Sequence, residues 1–509
     1  MRGPSSRNPG PPPSDPLTAL LLTRSAAVLG VPADRIDPSA PLPRPDRHPL
    51  LALRLAAALR TELGHDVPVT DLLDLTSIEA LRRHLDARTA WPLAQGQLTM
   101  YRDQSRSPDS RAYHLPLLFE IHGPLDEGAL ERAVAAQTRI HPVLSARFEE
   151  RAGVPYMSIA PTRTPSFERH RLTAESRAEQ LAELRALVNA PFDLTSGPLL
   201  RTHLLTLPDG RRLLLLTAHH ILLDGTSTAI LVRTLKEAYR GEHPRPDTTY
   251  GDFVAWEEAF LRSPRAQRHR AYWQGKLTNR QPPLPLPYDH PYDPARLPDA
   301  AVLTTVLSPA LTAALTRTAR LHRVSTATAF FATYVRLLHR LTGRPGPTLG
   351  LTAAARYDPR FRQVVGQFAN CLPVRCTDTG DFPALLRSAQ REMAAAIEHG
   401  ALPARDIANS LRTPETPLVI TNFLFQNFEG ADLLTENTAA APGELDLRPF
   451  DDLPYAGEYT LAMEFYRSGD AYKVFLKYDT NVFREATARA FLAEWLSLTE
   501  EATNREAAP

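Results

Sequence analysis

Two adjacent histidines, an aspartate and a glycine occur together in the segment HHILLDG, residues 219–225. The segment follows a continuous apolar run, LLLL, which favours a strand covered on both faces. A neutral imidazole can accept a proton near pH 7, which is the chemistry of a general base. Because successive side chains of a strand point to opposite faces, His219 and His220 cannot both serve one site unless the strand has ended. We therefore expect one histidine in a cleft and the other in the structure.

Asp224 and Gly225 stand where the strand must give way to a helix. An aspartate at this point can pair with a buried arginine and lock the loop. Gly225 permits a turn that a Cβ atom would obstruct, and Ser227 is a candidate cap for the following helix. An HH pair alone is more often structural, whereas the complete HHxxxDG spacing at the end of a buried strand favours chemistry.

Composition and motif content exclude several classes of protein. The 509 residues are too many for one core, and the net charge of +1 gives no indication of a nucleic-acid partner. Cys371 and Cys376 would lie on opposite faces of a strand, so they are poor disulfide partners. We expect no metal or nucleotide site, because the P-loop, serine-hydrolase and zinc-protease motifs are missing. With neither a signal core nor a membrane span, a cytoplasmic location is expected.

The chain is predicted to have an α/β fold with several units. Residues 1–15 are rich in Pro, Ser and Gly and are expected to be disordered. Residues 16–89 have the pattern of a small helical bundle. Residues 92–276 and 300–509 mix strands and helices, and a proline-rich linker, not a core element, is expected at 277–299. The segment 459–479 predicts a hairpin that turns at Ser468-Gly469-Asp470.

HHILLDG matches the signature of nonribosomal peptide synthetase condensation domains. Other segments resemble further motifs of that family, in the family's order, from residue 92 to the C-terminus. They are PLAQGQLTMY, RIHPVLSARF, YGDFVAW, VGQFANCLPVR and TNFLFQN. The motif positions that they supply are Gln95, Tyr250, Asp252, Trp256, Gly366, Phe368, Asn370 and Arg375.

The resemblance implies a V-shaped pseudo-dimer of two lobes, each like chloramphenicol acetyltransferase, with a tunnel between them. It places His220 at the tunnel centre. There His220 would take the proton of an acceptor amine, or position the amine and stabilise the tetrahedral intermediate. Gly225 would lie close to the reacting centre.

The resemblance also implies supporting roles around His220. His219 and Asp224 are expected to be structural, with Asp224 in a salt bridge to an arginine. Arg356 is the favoured partner and Arg139 a weaker candidate.

Two positions depart from the family pattern. Gln97 replaces the arginine of the opening motif, and Thr226 replaces the bulkier residue that commonly follows Asp-Gly. Thr226 would widen the tunnel beside His220, so both changes bear on substrate choice. The intact HHxxxDG favours ordinary bond formation.

The N-terminal bundle resembles a peptidyl carrier protein. In that family a serine at the start of the second helix holds a phosphopantetheine arm, and Pro49 stands at that place here. Asp46 and Arg47 replace the family's glycines, while proline suits a first helical turn. The resemblance therefore implies a carrier-like domain that has lost its attachment site.

These resemblances predict an amide-forming condensation enzyme with no metal and no covalently bound cofactor. We expect no adenylation domain after the second lobe, and we therefore expect the acyl or aminoacyl donor in trans, on the phosphopantetheine arm of a separate carrier protein. The acceptor is a carrier-bound or free amine, or an alcohol. The alternatives are an ester-forming or acyl-CoA-dependent acyltransferase of the same superfamily, and a non-catalytic recruitment module. No nucleic acid or membrane partner is expected.

Overall fold

The computed structural model describes residues 16–40, 49–63, 69, 72, 77–82, 90–159, 163–244, 247–278, 282–293, 296–377, 381–411, 418–434, 441, 443–450, 453 and 457–504. Residues 1–15, for which we expected disorder, lie outside these ranges. Residues 83–89, the expected end of the helical bundle, also lie outside them.

Helices are distributed along the whole described chain. They are α1 (Pro16–Leu29), α2 (Pro49–Leu63), α3 (Gln95–Arg106), α4 (Glu127–Ile140), α5 (Arg177–Asn189), α6 (Gly225–Tyr239), α7 (Tyr250–Leu261), α8 (Pro264–Lys276), α9 (Pro309–Leu321), α10 (Thr326–Thr342), α11 (Phe382–Glu398), α12 (Ala404–Ser410) and α13 (Glu485–Asn504). No helix in the described part of the chain combines the length and apolarity that crossing a bilayer requires.

The strands of the described residues form three sheets. They are β1 (Ala90–Pro92), β2 (His114–His122), β3 (Ala146–Arg151), β4 (Val154–Ile159), β5 (Ser166–Arg171), β6 (Leu200–Thr206), β7 (Arg212–His219), β8 (Ala300–Val306), β9 (Thr348–Ala353), β10 (Asn370–Arg375), β11 (Thr421–Gln426), β12 (Asp446–Pro449), β13 (Leu461–Ser468) and β14 (Ala471–Asp479). A small sheet has the order β1-β4-β3, and each of the other two sheets is the centre of one lobe.

The N-lobe contains the sheet β12-β2-β7-β6-β5, and the C-lobe contains the sheet β10-β9-β11-β13-β14-β8. β7 is the middle strand of the N-lobe sheet, and its leucines 213–215 are 0% exposed, as the continuous apolar run predicts. The hairpin of β13 and β14 pairs Ser468 with Ala471, and Gly469 turns with a φ of +57°. The α/β fold with two lobes and an N-terminal helical segment is confirmed.

The two lobes exchange segments, so neither core is continuous in sequence. β12 follows strands of the C-lobe in the chain but pairs with β2 of the N-lobe. Phe361 and Phe368, which follow β9, are also buried in the N-lobe core. Conversely, Trp273 of α8 packs in the C-lobe core. Each lobe therefore needs the other to complete its apolar interior.

The proline-rich segment is partly a core element, which corrects the expectation of a plain linker. Leu284 and Leu286 are each 4% exposed and belong to the C-lobe core. The prolines around them remove backbone donors without preventing alternate leucines from facing inward. Arg344 holds the segment by donating from Nη1 to the carbonyl of Pro282 at 2.7 Å.

The N-terminal helices α1 and α2 share a small apolar core. Leu21 and Leu59 are 0% exposed and pack together in it, with Ile78 from a later helical turn. α2 begins at Pro49, where the missing N–H of proline costs no helical hydrogen bond.

A close backbone approach joins the lobes at Gly366. An ideal Cβ at this position would lie 1.9 Å from Cδ2 of Tyr250 on α7. The Tyr250 hydroxyl donates to the carbonyl of Gln367 at 2.6 Å, and its ring meets Phe368 edge-on at 5.3 Å. The glycine is therefore required by the neighbouring ring and not by a left-handed φ.

We predict that Gly366→Ala lowers the free energy of unfolding by about 1–3 kcal/mol, the usual cost of overpacking a close contact. Gly275→Ala on α8 is the matched control, since a Cβ there meets nothing within 4 Å. The control should be neutral or raise stability by up to about 1 kcal/mol. Urea denaturation of the purified variants measures both, and equal midpoints would show that Tyr250 gives way without cost.

Candidate functional site

His219 and His220 are separated because β7 ends between them. His219 is the last residue of β7 and is 0% exposed, whereas His220 begins a 3-10 turn, His220–Leu222. His219 Nδ1 accepts from the backbone N–H of Ile221 at 3.1 Å, so Nε2 carries the proton and donates to Gln104 Oε1 at 3.3 Å. Burial, together with nearby His114 and His220, holds the pKa of His219 well below its usual value. His219 is thus a neutral interior residue.

His220 lies between two large cavities. One has a volume of about 500 Å³ and the other about 580 Å³, and His220 lines both. Both cavities are also lined by C-lobe residues, among them Tyr357, Leu424 and Lys477. The backbone N–H of His220 donates to the carbonyl of Tyr113 at 2.8 Å, which fixes the start of the turn. His220 therefore lies at the junction of the two lobes.

Asp224 anchors the loop to the C-lobe through Arg356, the partner favoured by the sequence. Arg356 Nη1 donates to Oδ2 at 2.7 Å and Nη2 donates to Oδ1 at 3.0 Å. The Asp224 side chain is 2% exposed and that of Arg356 is 6% exposed. Burial alone would raise the pKa of Asp224, but the guanidinium and further hydrogen bonds hold it below its usual value. Arg139, the weaker candidate, is exposed on α4.

The Asp224 carboxylate also organises the backbone on both sides of the lobe junction. It accepts from the N–H of Ser227 at 2.8 Å and from that of Phe368 at 3.2 Å. Asp224 is therefore the cap of α6, and the expectation that Ser227 caps this helix is wrong. Ser227 Oγ instead donates to the carbonyl of Gly366 at 2.8 Å and accepts from Arg356 Nη2 at 2.8 Å.

The absence of a side chain at Gly225 leaves space in the first cavity, and the residue does not adopt a left-handed backbone conformation. Its φ is outside the left-handed region, so the expectation that a Cβ obstructs the backbone turn is wrong. A Cβ here would lie 3.5 Å from Gln426 and Phe428, in ordinary contact on the wall of the first cavity. Thr226 lines the same cavity, so the residues after Asp224 shape its volume.

Gln97, the residue that replaces the motif arginine, supports the loop that begins with His220. Its side chain is 0% exposed, and Nε2 donates to the carbonyl of Ile221 at 3.0 Å. This amide therefore holds the residue that directly follows His220. Gln95 begins α3 and donates its backbone N–H to Glu257 Oε2 at 2.8 Å.

The remaining motif residues hold backbone segments around the cavities. Thr249 caps α7, and Asp252 completes the capping box by accepting from the N–H of Thr249 at 2.7 Å. Trp256 stacks on Phe260 and lines the second cavity. Asn370 donates to the carbonyls of residues 400 and 402 at 2.9 and 2.8 Å. Arg375 ends β10 and is not among the residues that line either cavity.

Glu257 is a cavity residue that no sequence motif selected. It is 8% exposed and lines the second cavity beside Gln95. Burial raises the pKa of Glu257 to about 7 although the Gln95 N–H opposes the shift. The one feature of the sequence that could have indicated Glu257 is its position directly after the YGDFVAW motif. The second cavity therefore contains a carboxyl group that can exchange protons near neutral pH.

A buried cluster of three polar side chains on the C-lobe, Gln426, Glu464 and Lys477, lines the first cavity. Lys477 forms an ion pair with Glu464, and Gln426 donates to Glu464 from the neighbouring strand. Burial raises the pKa of Glu464, but Lys477 and Gln426 offset this and hold the pKa below its usual value. All three residues line the first cavity. They lie on three different strands, so no local motif indicates the cluster, although Gln426 itself falls within TNFLFQN.

Two known families match the chain. The family described as "Condensation domain" matches residues 87–509, and the one described as "Phosphopantetheine attachment site" matches residues 19–85. The first match covers most of the chain and includes every residue of the site described above.

Curated relatives are large synthases. The chain is 29% identical over 422 residues to polyketide synthase PksN of Bacillus subtilis, and this match covers 80% of the chain and 8% of that protein. It is 26% identical over 411 residues to tyrocidine synthase 2 of Brevibacillus parabrevis, and this match covers 76% of the chain and 11% of that protein. The chain thus spans about a tenth of the length of these relatives.

Solved structures share the fold. The first condensation domain of the calcium-dependent antibiotic synthetase, in complex with a substrate analogue, matches with a TM-score of 0.69 and 22% identity, covering 81% of this chain and 96% of that one. SgcC5 from Streptomyces globisporus matches with a TM-score of 0.69 and 23% identity, covering 81% and 99%. Because the condensation domain family matches residues 87–509, the chain belongs to that family.

Proposed function

We propose that this chain joins an acyl or aminoacyl thioester donor to an amine acceptor, forming an amide, and that His220 is the catalytic residue. The observation that supports this most strongly is the position of His220 between two cavities. Two substrates that enter from different sides would meet at its imidazole. A binding module has no need for a junction of this kind.

The reaction forms one C–N bond and breaks one C–S bond. The acceptor nitrogen attacks the thioester carbonyl, the tetrahedral intermediate collapses, and the donor's thiol leaves with a proton. His220 either takes the proton of the attacking amine or holds the amine and stabilises the intermediate. Bringing both reactants to one imidazole also removes much of the entropic barrier of a reaction between two molecules. No covalent acyl-enzyme is needed.

The surrounding residues are proposed to position His220 and to shape substrate access. Asp224 and Arg356 fix the loop that begins with His220. His219, as a neutral residue, supports the same loop from the interior by accepting from the N–H of Ile221. Thr226 and Gly225 leave room in the first cavity, where Gln426, Glu464 and Lys477 supply hydrogen-bonding groups. A substrate with a polar group at that depth suits this wall better than a plain alkyl chain.

The N-terminal segment is proposed to be a carrier-like domain without a carrier arm. α2 begins with Pro49 followed by Leu50, and neither residue type has a hydroxyl that could form a phosphodiester. The residues present at this helix start therefore do not fit the phosphopantetheine group. The donor would then be delivered on the phosphopantetheine arm of a carrier other than this segment, or as another thioester.

We predict that His220→Ala lowers the rate of condensation by about 10²- to 10⁴-fold, the usual contribution of a positioned acid or base. The substitution is made in the host strain at matched protein levels, and metabolites are compared with wild type. Loss of one product, with accumulation of two fragments, identifies the donor and the acceptor. The bond between them in the wild-type product distinguishes an amide from an ester.

His243→Ala is the control, because His243 is exposed and lies outside both cavities. It should leave the metabolites unchanged. An unchanged profile in His220→Ala, with the variant folded, would contradict the catalytic role and favour a recruitment module.

We predict that a phosphopantetheinyl transferase and coenzyme A leave the intact mass of the protein unchanged. Proline at position 49 offers no nucleophile, and a separate carrier protein in the same tube serves as the positive control. A gain of one phosphopantetheine by this chain would mean that another hydroxyl is the attachment site.

A further inference from the structure

We propose that Glu168, His170 and His203, on the surface of the N-lobe, bind a divalent transition metal ion of the zinc class. One donor atom of each residue lies within 4.8 Å of the other two. The three residues are remote from HHILLDG in sequence and line neither of the two large cavities. The inference is therefore independent of the proposed function, and it departs from the expectation of no metal site.

The three donor atoms have the spacing of one face of a coordination tetrahedron. His170 Nε2 lies 3.1 Å from His203 Nδ1 and 3.2 Å from Glu168 Oε2. The third side, from Glu168 Oε2 to His203 Nδ1, is 3.8 Å. A triangle of this size has a point about 2 Å from each corner, which is the length of zinc–nitrogen and zinc–oxygen bonds. Two imidazoles and a carboxylate are also a ligand set that zinc accepts.

The sheet holds these side chains in place before any ion arrives. Glu168 and His170 are two residues apart on β5, so they project from the same face of the strand. His203 is opposite Glu168 in the parallel register of β5 and β6. Because the donors are on paired strands and not on a mobile loop, binding an ion requires little ordering of the backbone.

The environment suits a site with one ligand position open to water. The His203 side chain is 5% exposed, so it forms the buried corner of the triangle. Glu168 and His170 are 52% and 35% exposed, so solvent reaches the outer side of the triangle. A water molecule would complete the tetrahedron from that side.

Two nearby arginines have hydrogen-bond or ion-pair partners outside the three residues, although the charge of Arg201 still acts on Glu168 and His203. Arg201 lies on the same face of β6 as His203. Its guanidinium lies 3.9 Å from the ring centre of Phe192, and its Nη2 donates to the carbonyl of Ala190 at 2.6 Å. Arg169 alternates to the other face of β5, where it pairs with Glu127 and Glu131.

An ion bound to these three residues would link the edge strand β5 to its neighbour β6. Among the described residues, β5 is the last strand in the order β12-β2-β7-β6-β5 and pairs with β6 alone. Unpaired edge strands are sites of fraying and of pairing with other chains. Two ligands from β5 and one from β6 would hold that edge in register.

The test uses the full chain, stripped of metal with a chelator. One metal-free sample is dialysed against Zn²⁺, and a second metal-free sample is titrated with Co²⁺. We expect one ion per chain, the visible absorption of tetrahedral Co²⁺, and a thermal midpoint that rises with Zn²⁺ concentration. His170→Gln should weaken binding by more than about 100-fold, beyond the effect of losing an orienting partner. His170 is partly exposed, so this variant is expected to fold.

His122→Gln is the matched control, because His122 lies 3.9 Å from Glu120 on the same lobe but belongs to no cluster of three potential ligands among the described residues. It should bind the ion as wild type does. Glu168→Gln is a second variant and should also lose the tetrahedral Co²⁺ spectrum. If wild type binds no ion, or if His170→Gln binds with wild-type affinity, the three residues are only hydrogen-bonded to one another and the proposal is wrong.

Discussion

The buried ion pair between Asp224 and Arg356 is the interaction on which the site depends. Asp224 caps α6 of the N-lobe, and its carboxylate binds both Arg356 and the N–H of Phe368 from the C-lobe side. A pair that is so little exposed loses much hydration, and removing one partner would leave an uncompensated buried charge. The loop that begins with His220 is consequently held between the lobes and is not free to follow one of them.

The exchange of segments between the lobes supports the same geometry. β12 completes the N-lobe sheet from the C-terminal half, and Trp273 completes the C-lobe core from the N-terminal lobe. The two cavities lie at the junction that these exchanges stabilise, and both are lined by residues of both lobes. A displacement of one lobe would change the distance from His220 to the C-lobe wall, so lobe packing and chemistry are coupled in our proposal.

Local signals in the sequence predicted the strand before His219, the hairpin of β13 and β14 and the helix that begins near Pro49, because each depends on neighbouring residues. The family motif added Arg356, whose pairing depends on a contact 132 residues away. Contacts without such a motif were missed. Glu464 and Lys477 meet across a hairpin, Leu284 and Leu286 turn inward from a proline-rich segment, and His203 joins Glu168 only through strand pairing. Ser227 was chosen as a cap because hydroxyl and carboxylate caps look alike in sequence.

A double-mutant cycle on Asp224 and Arg356 tests the central claim most directly. The free energy of unfolding and the condensation rate are measured for wild type, Asp224→Asn, Arg356→Met and the double variant. We predict that the double variant is more stable than the sum of the single losses by about 1–3 kcal/mol, since it leaves no unpaired charge, while its condensation rate stays low because the loop is released. Additive stability losses, or a double variant with the wild-type rate, would contradict the claim that this pair fixes the loop.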